Sequence, residues 1–182
     1  MAIFPPAERI WWNKPIHRVE LVWIIVAFLW GLVMFSMMIY WHAYRQQNLS
    51  NETYRTTPAA YAAKTQAMIE KYQVRDDNGI PVVKPPAGSD VYLLARVWLW
   101  YPHLVFEKGQ SYRLHLSSMD LQHGFSLQPI NINIQVHPGY EMVLTLTAAT
   151  AGEFGVVCNE YCGLGHHTMV GKIYVVEPQS GS

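Results

Sequence analysis

The sequence predicts an all-β domain, built as a sandwich or a Greek-key barrel, that follows one transmembrane helix. Three observations predict this arrangement. An uncharged apolar run of 24 residues extends from Leu21 to Tyr44. After about Asp90, short segments alternate apolar and polar residues and are separated by turn residues, a pattern typical of strands in a sandwich or barrel. Charged residues make up only 14% of the 182 residues, against roughly 25% in a typical soluble protein.

The run from Leu21 to Tyr44 is apolar on every face. It is long enough to span a bilayer, because a hydrocarbon core of about 30 Å needs about 20 helical residues. A buried soluble helix and a cleaved signal peptide are the alternatives. Uncharged runs of this length are rare in soluble proteins, and no small-residue cleavage site follows directly. Basic residues flank both ends of the run in similar number, so charge does not fix its orientation.

The chain is therefore divided into five segments. They are an N-terminal segment (1–20), the transmembrane helix (21–44), a polar linker (45–89), the β domain (90–177) and a short tail (178–182). Within the linker, Thr57 to Gln73 is rich in helix formers and has Pro58 near its start, which favours a short helix. The stretches 76–79 and 84–88 contain residues that interrupt regular structure.

The β domain shows its clearest period-two pattern from Ile130 to Val136, where isoleucine and valine alternate with polar amides. Tyr112 to Ser117 and Met142 to Thr147 alternate in the same way. Two shorter strands are predicted at 155–157 and 172–176. A His-Pro-Gly turn at 137–139 separates the strand from Ile130 to Val136 from the one that begins near Met142.

Charge and cysteine content exclude two classes of protein. Thirteen basic and thirteen acidic residues cancel to a net charge of zero, so a phosphate-neutralising nucleic-acid binder is not expected. Two cysteines are too few for a disulfide scaffold.

The chemistry of the chain is concentrated between residues 157 and 169. Both cysteines lie here, at Cys158 and Cys162, followed by His166 and Met169. Thiolate, imidazole and thioether form a soft ligand set that favours copper over calcium or magnesium, and a blue-copper centre uses two histidines, one cysteine and a weak axial methionine. The second histidine is expected at His123, just after a predicted strand.

One copper ion leaves Cys158 without a task. Two thiolates can bridge two copper ions, each with one terminal imidazole. An unpaired electron shared over both ions changes the geometry little on reduction, which suits electron transfer rather than substrate turnover.

Three other interpretations of the cysteines fit the sequence less well. A disulfide between Cys158 and Cys162 would close a loop too short to gain much entropy, and it would leave His166 and Met169 unexplained. Zinc bound by two cysteines and two histidines favours other spacings and has no use for methionine. Covalent c-type haem needs Cys-x-x-Cys-His, which this spacing excludes.

At these residues the chain resembles subunit II of the haem-copper oxidases, and the likeness extends over the apolar helix and most of residues 90–177. The Cys-x-Glu-x-Cys-Gly-x-x-His-x-x-Met signature of that family's dinuclear copper centre, CuA, is matched position by position, and Asp-x-x-His matches its upstream ligand motif. The matching residues are Cys158, Glu160, Cys162, Gly163, His166 and Met169, with Asp120 and His123 upstream.

The resemblance implies a cupredoxin barrel in residues 90–177, outside the cytoplasmic membrane, with residues 1–20 on the cytoplasmic side. It implies copper bridged by Cys158 and Cys162, with His123 and His166 as terminal ligands. Met169 and the backbone carbonyl of Glu160 would be the axial ligands. The Glu160 side chain is also a candidate magnesium ligand at the contact with subunit I.

The resemblance also implies a function and partners. Electrons from a c-type cytochrome would reach the copper near Trp98, whose Val-Trp-Leu-Trp-Tyr segment resembles the family's aromatic motif. They would pass to haem in subunit I, where oxygen is reduced and protons are translocated, so the chain would hold no catalytic site of its own. A single anchor helix is most similar to the short subunit II of B-type oxidases. The rivals are a CuA subunit of a nitric oxide reductase and a membrane-tethered copper carrier.

Overall fold

A computed structural model describes residues 15–44, 52–130 and 132–178 of the chain. The chain forms two compact units, which meet in sequence between Asn48 and Leu49. Most of the predicted N-terminal segment 1–20 and of the tail 178–182 lies outside the described residues.

The first unit contains the helix α1, Arg18–Tyr44, which begins three residues before the predicted apolar run. Its 27 residues extend about 40 Å at 1.5 Å per residue. The helix has no polar face, and none of its residues is buried by protein. It is therefore long and apolar enough to cross a bilayer.

The described part of the second unit contains one α-helix and twelve strands. The helix α2 is Pro58–Tyr72. The strands are β1 Glu52–Arg55, β2 Gln73–Asp77, β3 Ile80–Val83, β4 Asp90–Arg96, β5 Leu99–Tyr101, β6 His103–Glu107, β7 Ser111–Ser118, β8 His123–Gln128, β9 Ile132–Val136, β10 Tyr140–Thr147, β11 Gly152–Cys158 and β12 Val170–Val176.

The strands form two sheets. One has the order β1-β10-β7-β4-β5, and the other has the order β2-β3-β6-β12-β11-β8-β9. Apolar side chains such as Leu114, Leu116 and Phe125 are fully buried in a shared core, as expected when two sheets pack face to face. The predicted all-β sandwich with one N-terminal helix is confirmed. The strand predicted from Ile130 begins at Ile132 in the structure, and residue 131 lies outside the described residues.

Residues 52–89, which the sequence assigned to a linker, contribute three strands and α2 to the second unit. The helix matches the predicted one, and the Thr57 side chain accepts a hydrogen bond from the Ala60 N–H at its start. The breakers at 76–79 form a tight hairpin turn between β2 and β3. Asn78 and Gly79 both have positive φ there, 54° and 85°, the conformation of a type I′ turn.

Strand β7 is buried on both faces, which its alternating sequence did not predict. Its side chain at His115 points away from the core yet is only 5% exposed. His115 Nδ1 lies 2.6 Å from Glu141 Oε1, and Lys64 of α2 binds the other carboxylate oxygen at 2.9 Å. The Tyr61 hydroxyl of α2 donates to the Leu93 carbonyl at 3.2 Å. The helix thus covers this face of the sheet.

Candidate metal centre

The candidate site is formed by the connection between β11 and β12 together with the start of β8. Cys158 is the last residue of β11, and its N–H donates to the Met169 carbonyl at 3.1 Å, which closes the base of the connection. Strand β8 pairs with β11 so that Phe125 is opposite Cys158. His123, the first residue of β8, is therefore brought beside the thiol.

The sulfur and nitrogen donors face one another in two pairs. Cys158 Sγ lies 3.6 Å from Cys162 Sγ. His123 Nδ1 is 3.9 Å from Cys158 Sγ, and His166 Nδ1 is 3.7 Å from Cys162 Sγ. Each thiol therefore has an imidazole nitrogen of its own within 4 Å.

Two further donors complete the group. Met169 Sδ lies 3.8 Å from Cys162 Sγ, and the Glu160 carbonyl oxygen lies 3.2 Å from Cys158 Sγ. His123 and Met169 are fully buried, and the two cysteines are 3% and 2% exposed. Among the described residues, His123, Cys158 and Cys162 are the one group of three or more histidine, cysteine or acidic side chains close enough to share a metal ion.

The donor geometry fits a soft metal ion. Typical metal–thiolate and metal–imidazole bonds are about 2.3 Å and about 2.0 Å. Two sulfurs 3.6 Å apart and sulfur–nitrogen pairs at 3.7 and 3.9 Å are each closer than the sum of two such bonds. Neighbouring donors can therefore share an ion. Both cysteines are free thiols in the structure, and the thioether and carbonyl donors are ones that structural zinc does not use.

The Cys162 thiol is protonated at neutral pH when no metal is bound. Burial, together with the neighbouring Cys158 thiol, raises the pKa of Cys162 to about 11. A thiol binds metal as its thiolate, so loading the site must release this proton.

Asp120 orients the His123 ring and also anchors the turn that carries Trp98. Its Oδ1 accepts a hydrogen bond from His123 Nε2 at 2.8 Å, which leaves Nδ1 of the ring facing the sulfur. Its Oδ2 accepts from the Val97 N–H at 2.7 Å. Burial would raise the pKa of Asp120, but hydrogen bonds from His123 and the backbone N–H groups of Val97 and Leu121 outweigh it and hold the pKa below its usual value.

Trp98 lies at the surface in direct contact with the connection between β11 and β12, residues 159–169, which we call the copper loop. The side chain is 40% exposed, and its indole N–H donates to the Cys162 carbonyl at 3.0 Å. The ring packs on the backbone of Gly165, where a Cβ atom would lie 2.2 Å from the indole. The sequence indicated Trp98 as a candidate for electron entry. It gave no sign that glycine is needed at 165, because the contact between the two residues joins positions 67 apart.

Trp100 is a site neighbour that the sequence did not distinguish from Trp98. Its side chain is fully buried, and its ring lies edge-on to the His123 ring at 6.3 Å between centroids. Trp98 lies in the turn between β4 and β5, whereas Trp100 is the central residue of β5. Trp100 therefore packs in the core beside His123, and Trp98 reaches the surface.

Several apolar side chains are exposed around the site. Leu164 is 86% exposed and Tyr161 is 79% exposed in the loop itself. Val97 and Leu121, which follow β4 and β7, are also exposed. His167 is exposed on the short 3₁₀ turn 166–168.

Fold and site together define a β-sandwich protein that carries a helix long and apolar enough to cross a membrane and a candidate metal centre of cysteine, histidine and methionine donors. The chain belongs to the cytochrome c oxidase subunit 2 family. It is 38% identical over 93 residues to cytochrome c oxidase subunit 2 of Thermus thermophilus, a match that covers 50% of this chain and 69% of that protein. A second Thermus thermophilus protein of that name is 37% identical over 93 residues, which cover 50% of this chain and 55% of the relative. No family model matches the chain.

A more distant relative agrees with this assignment, and a solved structure shares the fold. A probable cytochrome c oxidase subunit 2 of Streptomyces coelicolor is 33% identical over 81 residues, 44% of this chain and 24% of that protein. A chain of a heme-copper terminal oxidase dimer, solved by cryo-EM, has the same fold with a TM-score of 0.57 and 23% identity. The match covers 87% of this chain and 100% of that one. The relatives are named as oxidase subunits, so the nitric oxide reductase alternative is not favoured.

Proposed function

We propose that this chain accepts electrons from a c-type cytochrome at a dinuclear copper centre and passes them to haem in subunit I, where oxygen is reduced. The observation that carries the proposal is the paired arrangement of two thiols and two imidazoles, each imidazole nitrogen within 4 Å of its own sulfur. Oxygen reduction and proton translocation then belong to the partner subunit of the oxidase.

The ligand assignment follows the distances. Cys158 and Cys162 would bridge the two ions, with His123 and His166 as terminal ligands. Met169 and the Glu160 carbonyl would bind weakly from opposite ends of the group, since one lies near Cys162 and the other near Cys158. When bound, the copper pair supplies a one-electron redox centre with little rearrangement between its oxidation states.

Burial of the donors favours electron transfer over copper delivery. His123 and Met169 are fully buried, and both cysteines are nearly so. A carrier must release its metal to a partner, which requires accessible ligands. A centre that keeps its copper benefits from a closed site, because fixed ligands reduce the reorganisation that accompanies each electron transfer.

The apolar surface around Trp98 is where we propose that the cytochrome docks. Trp98 is half-exposed, and the hydrogen bond from its indole N–H to the Cys162 carbonyl links the surface to a proposed bridging ligand. Aromatic side chains at the centre of an apolar patch are common energetic hot spots of interfaces. We expect docking to depend only weakly on salt, because four of the exposed side chains here, Tyr161, Leu164, Val97 and Leu121, are uncharged and would make apolar contacts.

Three finer assignments complete the proposal. Glu160 is a candidate magnesium ligand at the contact with subunit I, because its half-buried carboxylate reaches the surface beside the copper loop. The copper domain lies on the periplasmic or extracytoplasmic side of the inner membrane, anchored by α1. Among the described residues, α1 is the one helix long and apolar enough to span a membrane, and this feature supports our proposal that the chain is of the short subunit II type of B-type oxidases.

The proposal is tested with the full chain in detergent, loaded with copper under reducing conditions and then oxidised by one electron with an added chemical oxidant. Two copper ions per chain and an electron shared over both in the electron paramagnetic resonance spectrum support it. Zinc, or a single copper ion per chain, contradicts it. Purification of the native complex, with haem typing and uptake assays for oxygen and nitric oxide, then tests the terminal acceptor.

Replacing Trp98 with phenylalanine should slow reduction of the centre by the cytochrome without changing its copper content. Phenylalanine keeps an aromatic ring packed on Gly165 but cannot donate the hydrogen bond to the Cys162 carbonyl. One such hydrogen bond is worth about 1 kcal/mol, so we expect the second-order rate constant to fall by roughly fivefold. Stopped-flow reduction measures it, and Trp30→Phe in α1 is the matched control. An unchanged rate would assign Trp98 to packing alone.

Replacing Met169 with leucine should change the reduction potential more than the copper content. Leucine fills much of the buried volume of Met169 and removes only a weak axial donor. Copper analysis and a redox titration of the loaded chain check both quantities. Complete loss of copper would show that the thioether is a principal ligand.

A further inference from the structure

The amide side chains of β9 contact the copper loop. Asn133 and Gln135 point outward from the strand whose isoleucines pack in the core. Strand β9 pairs with β8 in a register that sets Gln135 opposite Gly124 and Asn133 opposite Ser126. Gly124 directly follows the histidine ligand. The outward faces of Gly124, Asn133 and Gln135 therefore form one surface, which we call the loop seat.

Gly124 leaves the space in which the copper loop lies. A Cβ atom at Gly124 would lie 2.0 Å from Asn159 Oδ1 and 2.8 Å from the Glu160 backbone nitrogen. Both separations are far below van der Waals contact. The φ angle of Gly124 is not in the left-handed region, so glycine is needed here for the close approach of the loop and not for the backbone conformation.

Three hydrogen bonds hold the loop on the seat. The Asn159 N–H donates to the Gly124 carbonyl at 3.2 Å. The Asn159 side-chain amide donates to Asn133 Oδ1 at 2.8 Å, and the Gln135 amide donates to Glu160 Oε1 at 3.0 Å. Bonds at exposed positions are individually modest, but these three act on two adjacent residues that are also in steric contact with Gly124.

The seated residue Glu160 is the one whose carbonyl oxygen lies 3.2 Å from Cys158 Sγ. We propose that Gly124 and Gln135 are positioning residues that set the Glu160 carbonyl against the copper pair and so tune its reduction potential. This inference rests on the proposed function. It assigns the amides of β9, which the ligand set does not use, to the placement of the weak oxygen ligand.

The experiment compares two seat variants with two matched controls in the full chain. Gly124→Ala fills the space under the loop, and Gln135→Leu removes the bond to Glu160. Gly155→Ala is the first control, because a Cβ atom there meets nothing within 4 Å. Gln128→Leu is the second, since its amide bonds only to Ser126 of its own strand among the contacts seen.

Hydrogen exchange of the metal-free chain is the first readout. We expect the backbone N–H of Asn159 to exchange about tenfold faster in Gly124→Ala, because the variant loses the backbone hydrogen bond to the carbonyl of residue 124. Exchange of that amide should match the native rate in both controls. This measurement needs no copper, so it decides the seat contact even if the metal assignment fails. A native exchange rate in Gly124→Ala would overturn the contact.

The copper-loaded chain gives the second readout. We expect two copper ions per chain in all four variants, with a shifted absorption spectrum and potential in Gly124→Ala and a smaller shift in Gln135→Leu. Both controls should coincide with the native chain. Native spectra and potentials in both seat variants would overturn the inference. If Gly124→Ala does not fold, the exposed Gln135→Leu variant still decides it. Failure of the native chain itself to bind two copper ions would instead overturn the proposed function.

Discussion

Replacing Cys158 with serine should leave one copper ion where the native chain binds two. Cys158 is 3% exposed and lies between three donors, with the Cys162 sulfur, His123 Nδ1 and the Glu160 carbonyl all within 4 Å. A serine hydroxyl is a hard, neutral donor that copper binds poorly compared with thiolate. The variant therefore loses one bridge, while Cys162, His166 and Met169 remain as a set for one ion.

The loss of the bridge is visible in both composition and spectrum. Copper per chain should fall from two to one, and the electron should become localised on a single ion in the electron paramagnetic resonance spectrum. Leu164→Ala, in the same loop at an 86% exposed position, is the control and should keep both ions. A native spectrum in Cys158→Ser would refute the bridging role and with it the dinuclear centre.

The candidate donor set can be proposed from the sequence because most of it lies within one loop. Cys158, Cys162, His166 and Met169 occur at fixed spacings over 12 residues, and the chemistry of each donor is a property of the residue type. His123 needed one further step, the expectation that a strand end lies beside the loop. The pairing of β8 with β11 places it there.

What the sequence could not predict depends on the register of distant strands. The fit of the copper loop on Gly124 and the contact of Gly165 with Trp98 join positions 35 and 67 residues apart, and nothing local distinguishes these glycines from turn residues. The placement of residues 52–83 in the sheets also depends on distant strands, because β1 pairs with β10 and β3 pairs with β6. The residues at 76–79, which interrupt regular structure, form the turn of a hairpin. Burial of His115 likewise depends on α2, which covers a strand face that alternation predicts to be exposed.

Replacing Asp120 with alanine should weaken copper binding by about 10–100-fold, the usual cost of removing a carboxylate that orients a histidine ligand. The loss acts on two elements at once. The carboxylate holds His123 Nε2 at 2.8 Å with one oxygen and the Val97 N–H at 2.7 Å with the other. Without it, His123 can rotate away from the sulfur, and the turn that carries Trp98 loses its link to the ligand.

A series at this position separates charge from geometry. Asp120→Asn keeps one oxygen acceptor and the side-chain shape, so its copper affinity should fall between those of the native chain and Asp120→Ala. Competition with a cuprous chelator measures the affinity. Asp76→Ala is the control, because that carboxylate accepts from the Gly79 N–H within the β2–β3 hairpin and contacts no copper ligand among the described residues. Native copper affinity in Asp120→Ala would show that packing alone fixes the His123 ring. If that variant were still reduced more slowly by the cytochrome, the slower rate would be assigned to the lost hydrogen bond with the turn that carries Trp98.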